Sequence, residues 1–370
     1  MKFTISKNLI EPTIDFLFNY VDVNDTNHLG KMIGIEIDSN VLKFIVNTNN
    51  FGVKKEFEVD ENTIKLENSG KVIINASILK NVVKKFDKEI TFETNNETIV
   101  ITEGLTRYEL ATYNEHKFFV IDFSDSSNRF EVNSEMLDKT INDVCVSTSI
   151  ATDKLNSTMY KCVHIKNEDN LIRLSATDSY RMSTETIKTI VPINIDVVIE
   201  AKSLKKLITK ETPKKVFVFF NSSKLGISYE NTIIQANLTS IQYMDTSRLF
   251  KFDVANVIKI DKSELNNLIN KALFVTNDKS RRLEFKFSQM GINLNFEVPE
   301  IGYSSAHTSN YELEGPDFEM DLDYLYLKDA ISTLENGKII IYISDKYDKL
   351  LFVSEHDENN KQLITPLRKY

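Results

Sequence analysis

The chain has 370 residues and a formal net charge of −9, from 54 acidic against 45 basic side chains. Hydrophobic residues make up 41% and charged residues 27%, a balance that excludes collagen, coiled coil and disorder as the main architecture. The length predicts two or three domains at ~100–200 residues each, and the acidic balance argues against a general nucleic-acid coat.

Taken in chain order, Phe3-Thr4-Ile5 reads as a short alternating strand. Ile10, Ile14, Leu17 and Phe18 follow at the spacing of one helix face. Lys2, Lys7, Glu11 and Asp15 break up any apolar core segment, so this start does not read as a signal peptide. Thr48-Asn49-Asn50 and Asn95-Asn96 read as turns, where Asn and Asp stand in for scarce glycine and proline. Between them Ala76, Leu79, Val82 and Val83 mark a second helix, and residues 89–102 are strand-like.

The same order then begins again. Phe130-Glu131-Val132 precedes Leu137, Ile141, Val144 and Cys145, and Ala201, Leu204, Leu207 and Ile208 precede strand-like residues 215–239. A third copy has Ile258-Lys259-Ile260 before Leu265, Ile269, Ala272 and Leu273. It continues with Tyr324, Leu327, Ala330 and Ile331 before strand-like residues 338–354. The first sets begin 127 and 128 residues apart and the second sets 125 and 123. Two interleaved sets at one period indicate an internal repeat. The expected architecture is α+β: three repeated domains at 1–125, 126–252 and 253–370, with helices gathered on one side of antiparallel sheets. The boundaries fall in the polar stretches 122–128 and 253–256, too short to act as free linkers.

Cys145 and Cys162 are too few for a disulfide framework and read as buried thiols in a reducing compartment. No run of ~18 apolar residues occurs, so no membrane span is expected and the cytoplasm is the expected location. Enzyme signatures fail: there is no dinucleotide or P-loop glycine motif and no G-x-S-x-G elbow. His28, His116, His164, His307 and His356 are scattered, and no zinc-ligand spacing appears. The expectation is a protein without catalytic residues, cofactor or metal. A hydrolase or transferase with a carboxylate site, or a repeat-built interaction protein not acting on DNA, remain the alternatives.

What chemistry there is lies in lysines and in two segments. Lys80, Lys84 and Lys85 sit on the second helix of the first repeat, and Lys202, Lys205, Lys206 and Lys210 on its counterpart in the second. Lys139, Lys271 and Lys328 add single charges on other helices. Such lysines read either as solvated helix faces or as equivalent helices facing one polyanion. The segment 174–182 joins two strands through Asp178 and Arg181, which reads as a catalytic pair or as a turn whose Asp caps backbone N–H groups. An apolar strand runs almost to the last residue, through Leu363, Ile364, Pro366 and Leu367, so the terminus is expected to be packed.

These residues resemble the bacterial DNA polymerase III β subunit family, the sliding clamps. Met1-Lys2-Phe3-Thr4-Ile5 is similar to the family's start, and Ala176-Thr177-Asp178-Ser179-Tyr180-Arg181-Met182 to its A-T-D-G-H-R-L segment. Pro366-Leu367-Arg368 resembles its closing P-[ML]-R, and residues 276–281 its S-N-E-K-x-R turn. The resemblance implies a head-to-tail homodimer, a ring of six domains with sheets outside and helices lining a hole around double-stranded DNA. It implies a processivity factor that tethers a replicative polymerase and also receives the clamp loader and repair polymerases or other clamp-motif proteins.

The family's partner-peptide pocket lies between the second and third domains. Carried over, it would include Thr177, Ser179, Tyr180, Arg181 and Met182, lined by Tyr160 and Leu249 with Met244 beside them. Tyr347, Leu363, Thr365, Pro366, Leu367 and Arg368 would close it. The DNA-facing set would be Lys80, Lys84, Lys139, Lys202, Lys205, Lys206, Lys271 and Lys328. Ring closure would set Tyr108 and Leu110 against Phe274 and Val275 of the other chain. The chain departs from the family at Ser179-Tyr180 for Gly-His, Met244 for a proline, Thr365 for an apolar residue, and Lys369-Tyr370 after the arginine. In the first domain Asn24 lies near the place of a DNA-facing arginine, with Lys31 as a substitute.

Overall fold

Each repeat opens on a strand that feeds directly into a helix. In the first, β1 (Lys2–Ser6) leads into α1 (Lys7–Phe18). Then come β2 (Met32–Ile37), β3 (Val41–Asn47), β4 (Phe51–Glu58), β5 (Ile64–Asn68) and β6 (Gly70–Asn75). Helix α2 (Ala76–Val83) and strands β7 (Glu89–Asn95), β8 (Thr98–Glu103) and β9 (Thr106–Ala111) complete it. The second repeat has β10 (Arg129–Asn133), α3 (Ser134–Cys145), β11 (Cys162–Glu168), β12 (Leu171–Thr177), β13 (Arg181–Lys188) and β14 (Asp196–Glu200). It ends with α4 (Ala201–Lys205), β15 (Lys215–Phe220), β16 (Lys224–Tyr229) and β17 (Thr232–Asn237). The third has β18 (Val254–Asp261), α5 (Lys262–Ala272), β19 (Arg282–Ser288), β20 (Gly291–Val298), β21 (Gly302–Thr308), β22 (Tyr311–Glu314) and β23 (Phe318–Asp323). Helix α6 (Tyr324–Thr333) and strands β24 (Lys338–Ser344), β25 (Leu350–Ser354) and β26 (Asp357–Ile364) close the chain. This computed structural model describes all residues except 25, 27, 61, 115, 124–127, 150–157, 169–170, 190–192, 275–279 and 369–370, and at 116 and 117 the backbone alone.

The helix faces are those the spacing marks. Ile10, Ile14 and Leu17 are buried on α1, and Ala76, Leu79, Val82 and Val83 on α2. Ala201 and Leu204, and Leu327, Ala330 and Ile331, are buried at the matching places on α4 and α6. The starts of α2, α5 and α6 are capped by short polar side chains: Asn75 accepts from Ile78 N, Asp261 from Ser263 N, and Asp323 from Leu325 N and Tyr326 N. Helix α4 is shorter than expected. The spacing carries it to Ile208, but it stops at Lys205, so Lys206 and Lys210 lie beyond it. The Thr209 and Thr212 side chains explain the stop. Thr209 N donates to the Thr212 hydroxyl at 2.9 Å and Glu211 N to the Thr209 hydroxyl at 3.3 Å, a local turn that competes with helix. Leu207 is still buried, now from that turn.

Two compact units emerge, residues 1–134 with 206–238, and residues 135–205 with 239–370. The first holds a five-stranded sheet, β5-β1-β7-β8-β9, and an eight-stranded one, β10-β15-β16-β17-β4-β3-β2-β6. The second holds a nine-stranded sheet, β14-β11-β12-β13-β26-β25-β24-β18-β22, and a four-stranded one, β21-β20-β19-β23. Among the described residues every strand pairing is antiparallel, as expected for an α+β chain. The sheets do not stop at repeat boundaries. β4 of the first repeat pairs with β17 of the second, with Val53 opposite Ile234. β13 of the second pairs with β26 of the third, with Met182 opposite Leu363.

Gly226, central in β16, is required by close approach. A Cβ there would lie 2.5 Å from the Ile234 carbonyl oxygen and 2.4 Å from the Phe219 ring. Gly226→Ala should therefore cost about 2–3 kcal/mol, as overpacking of a closed core does. The chain has no tryptophan, so the shift in urea midpoint is read by circular dichroism.

Candidate partner-binding site

The β12–β13 connection is built by its own side chains. Asp178 Oδ1 accepts from Tyr180 N at 3.0 Å and from Arg181 N at 3.1 Å, which is the capping turn rather than a catalytic pair. The Thr177 hydroxyl donates to Arg181 O at 2.7 Å and accepts from Ser179 N at 3.1 Å. The turn puts Ser179 at φ +80°, left-handed backbone that costs a side chain more than it costs glycine. Ser179→Gly should stabilise the second unit by about 0.5–1 kcal/mol, read as a rise in its unfolding midpoint.

The outward result of the turn is Tyr180, 61% exposed, with Arg181 turned inward. The Arg181 guanidinium bridges two elements. Its Nε donates to Asp178 Oδ2 at 3.0 Å and its Nη1 to Asp329 Oδ2 on α6 at 2.5 Å. Its carbon lies 4.4 Å from the centre of the Tyr326 ring, a cation–π contact. Both the Asp178 and the Arg181 side chains are 10% exposed or less. Asp178, Asp329 and Tyr326 were not among the expected site residues. The first is legible from the turn, whereas the other two sit on a helix far along the chain.

The C-terminal strand ends beside this turn. Thr365 N and the Thr365 hydroxyl both donate to Tyr180 O, at 2.9 and 2.8 Å. Leu367 N donates to Asp321 O at 2.8 Å, and Arg282 Nη2 to Arg368 O at 3.1 Å. The terminus is thus strapped across the second unit through residue 368. Met182 and Leu363 are buried opposite one another in the seam. Thr365, Pro366 and Leu367 are half-buried.

The other expected members are less directly joined. Tyr243, not itself an expected member, is buried, stacks on His164 at 5.0 Å, and has its phenol pushed well up by burial, with Thr177 and Tyr160 as neighbours. Met244, 45% exposed, follows it, and Leu249 is half-buried in the turn Ser247–Phe250. Tyr347 lies 5.5 Å from Phe318 and donates to Asn256 Oδ1 at 2.9 Å, with no hydrogen bond to the 177–182 turn among the described residues.

Of the helix lysines, several already have carboxylate partners. Lys80 and Lys84 meet Asp15 at 3.0 and 3.5 Å, Lys139 meets Asp143 at 2.9 Å, and Lys202 meets Glu200 at 3.2 Å. Lys205, Lys206 and Lys271 are exposed, Lys328 is half-buried, and Lys206 Nζ donates to Asn19 O at 3.2 Å. Tyr108, on β9 at the end of the five-stranded sheet, packs edge-on against Phe86, with Leu110 half-buried on the same strand. Phe274 packs at 5.0 Å on Phe296, and Val275 lies outside the described residues, as do residues 276–279 and Lys369-Tyr370. No helix among the described residues is long and apolar enough to cross a membrane.

The whole chain superposes on solved sliding clamps. The Bacillus subtilis DNA polymerase sliding clamp matches with a TM-score of 0.92 at 20% identity, covering 100% of both chains. The Pseudomonas aeruginosa DNA polymerase III subunit beta matches at 0.89 and 15% identity, again over 100% of both. This is the three-domain sliding-clamp fold. In sequence, the chain is 25% identical over 377 residues to the beta sliding clamp of Mycoplasmopsis pulmonis, and 21% identical over 383 residues to that of Staphylococcus aureus, with 100% of each chain covered. Family models for the DNA polymerase III beta subunit match at 1–122 (N-terminal domain), 131–245 (central domain) and 247–368 (C-terminal domain). The chain belongs to the DNA polymerase III beta subunit family.

Proposed function

We propose that the chain acts as a head-to-tail homodimer that closes around duplex DNA and holds a replicative polymerase on its template without catalysing a reaction itself. The observation that carries this reading is the run of three consecutive family domains over residues 1–368. The partner peptide, from the polymerase, the clamp loader or repair proteins, would anchor where Tyr180, Arg181, Thr365 and Leu367 meet. β9 and β21, at the ends of the five- and four-stranded sheets, are two of the edge strands that closure between protomers would use. The clamp family implies DNA and a polymerase as partners, and lysines that meet only equivalent phosphates permit sliding. Because four of the eight candidate lysines already face carboxylates, DNA retention would be topological far more than electrostatic.

Electron-microscope class averages of the purified protein, with a mass measurement, test the reading. A six-lobed ring with a hole wider than a DNA duplex supports it. Dimers without a hole would overturn it.

A further inference from the structure

Under the seam between the second and third repeats lies a polar floor that the peptide site does not use. Ser183 on β13 lies opposite Gln362 on β26, and Glu185 and Asn360 follow along the same faces. Asp143 on α3 covers them. Its Oδ2 accepts from Lys139 Nζ at 2.9 Å and from Asn360 Nδ2 at 3.2 Å, and its backbone carbonyl accepts from Gln362 Nε2 at 3.2 Å. Gln362 Nε2 also donates to Asn360 Oδ1 at 2.7 Å, and Asn360 Nδ2 to Thr333 O at the end of α6 at 3.0 Å. The Ser147 and Ser183 hydroxyls are 2.6 Å apart.

Two buried carboxylates meet in this network. Asp143 is 8% and Glu185 6% exposed, and Lys139 Nζ lies 3.5 Å from Glu185 Oε1. Glu185 Oε2 is buried, and no backbone or side-chain N–H or O–H among the described residues donates to it. One lysine, whose side chain is 45% exposed, therefore serves two buried acids. Two more charges act from neighbouring elements: Lys262 on α5 favours an ionised Asp143, and Asp357 on β26 disfavours an ionised Glu185. Holding two carboxylates out of bulk water beside one ammonium group is costly when both are ionised.

We propose that Asp143 and Glu185 share one proton, and that this proton sets how firmly the second and third repeats are joined: firmly when it is held, less so when both acids are ionised. Burial pushes Glu185 up to about 7, against the pull of Lys139 and with the help of the Asp143 charge. Burial also raises Asp143, opposed by Lys139. The two titrate as a pair. Because the folded chain binds this proton more tightly than the unfolded chain, the stability gained is complete below the ordinary carboxylate range. It is lost as pH rises toward about 7.

Thermal unfolding of the full chain at constant ionic strength, from pH 5.5 to 8.5, is the test. Wild-type Tm should fall by roughly 3 °C or more across that range. Glu185→Gln, neutral at every pH, should flatten the fall. Lys139→Met, which removes the counter-charge, should steepen it. Other titrating groups are common to all three proteins and cancel in the differences. The same fall in Glu185→Gln as in wild type would overturn the proposal, as would an unchanged slope in Lys139→Met. If Glu185→Gln does not fold, Asp143→Asn takes its place in the comparison, and Lys139→Met decides by itself.

Discussion

A chain ending at Ile364 will bind a polymerase-derived clamp peptide at least ~100-fold more weakly than the full protein while keeping its fold. The strap beyond Ile364 is held by Thr365 on Tyr180 O, by Leu367 N on Asp321 O and by Arg282 on Arg368 O. None of these bonds belongs to the core ladder, which is complete at Ile364. Removing the strap therefore leaves the seam intact but deletes one wall of the proposed peptide site and the Thr365 bonds to the Tyr180 loop. Burying one good apolar anchor is worth about 2 kcal/mol or ~30-fold, so Leu367→Ala alone should give a large part of the loss. Fluorescence anisotropy of a labelled peptide measures the affinity, and circular dichroism the fold. Unchanged affinity in both variants would place the site elsewhere.

Arg181→Met should lower the stability of the second unit by about 2–3 kcal/mol and weaken the same peptide at least tenfold. The substitution preserves the apolar stem but strands Asp178, whose side chain is only 8% exposed. Two backbone N–H groups still satisfy Asp178, so the cost falls short of that of a wholly orphaned buried charge. It also frees α6 from the turn, since Asp329 and Tyr326 both hold the guanidinium. Adding Asp178→Asn should recover part of the stability but not the binding. Chemical denaturation of the single and double variants separates the two. A stability loss under 0.5 kcal/mol, the ordinary range for surface changes, would mean that the pair is a bystander.

Local features were legible and long-range ones were not. The apolar quartet of α2 and its copies in α4 and α6 could be read because helical spacing is local, and most of those positions are buried. The Asp178 turn was legible for the same reason. The early end of α4 was not, because its threonine turn competes with an apolar pattern that continues to Ile208. Nor was the pairing of Val53 with Ile234, or the reach of Arg181 to Asp329, since neither partner carries a mark of the other. Asp143 and Glu185 look in sequence like two more solvated acids. Only tertiary packing removes water from them, and only the seam brings them together.

Sheets that run across repeat boundaries also bear on how this chain can be cut. A fragment spanning one repeat along its sequence limits would strip β17 of β4 and β13 of β26. Both newly bared edges carry apolar residues, among them Ile234, Ala236 and Met182. Such edges recruit other strands, so an isolated central repeat is expected to aggregate on expression rather than fold. In genetic terms, the three repeats can no longer be shuffled singly. Shuffling one would require its neighbours' strands to come with it.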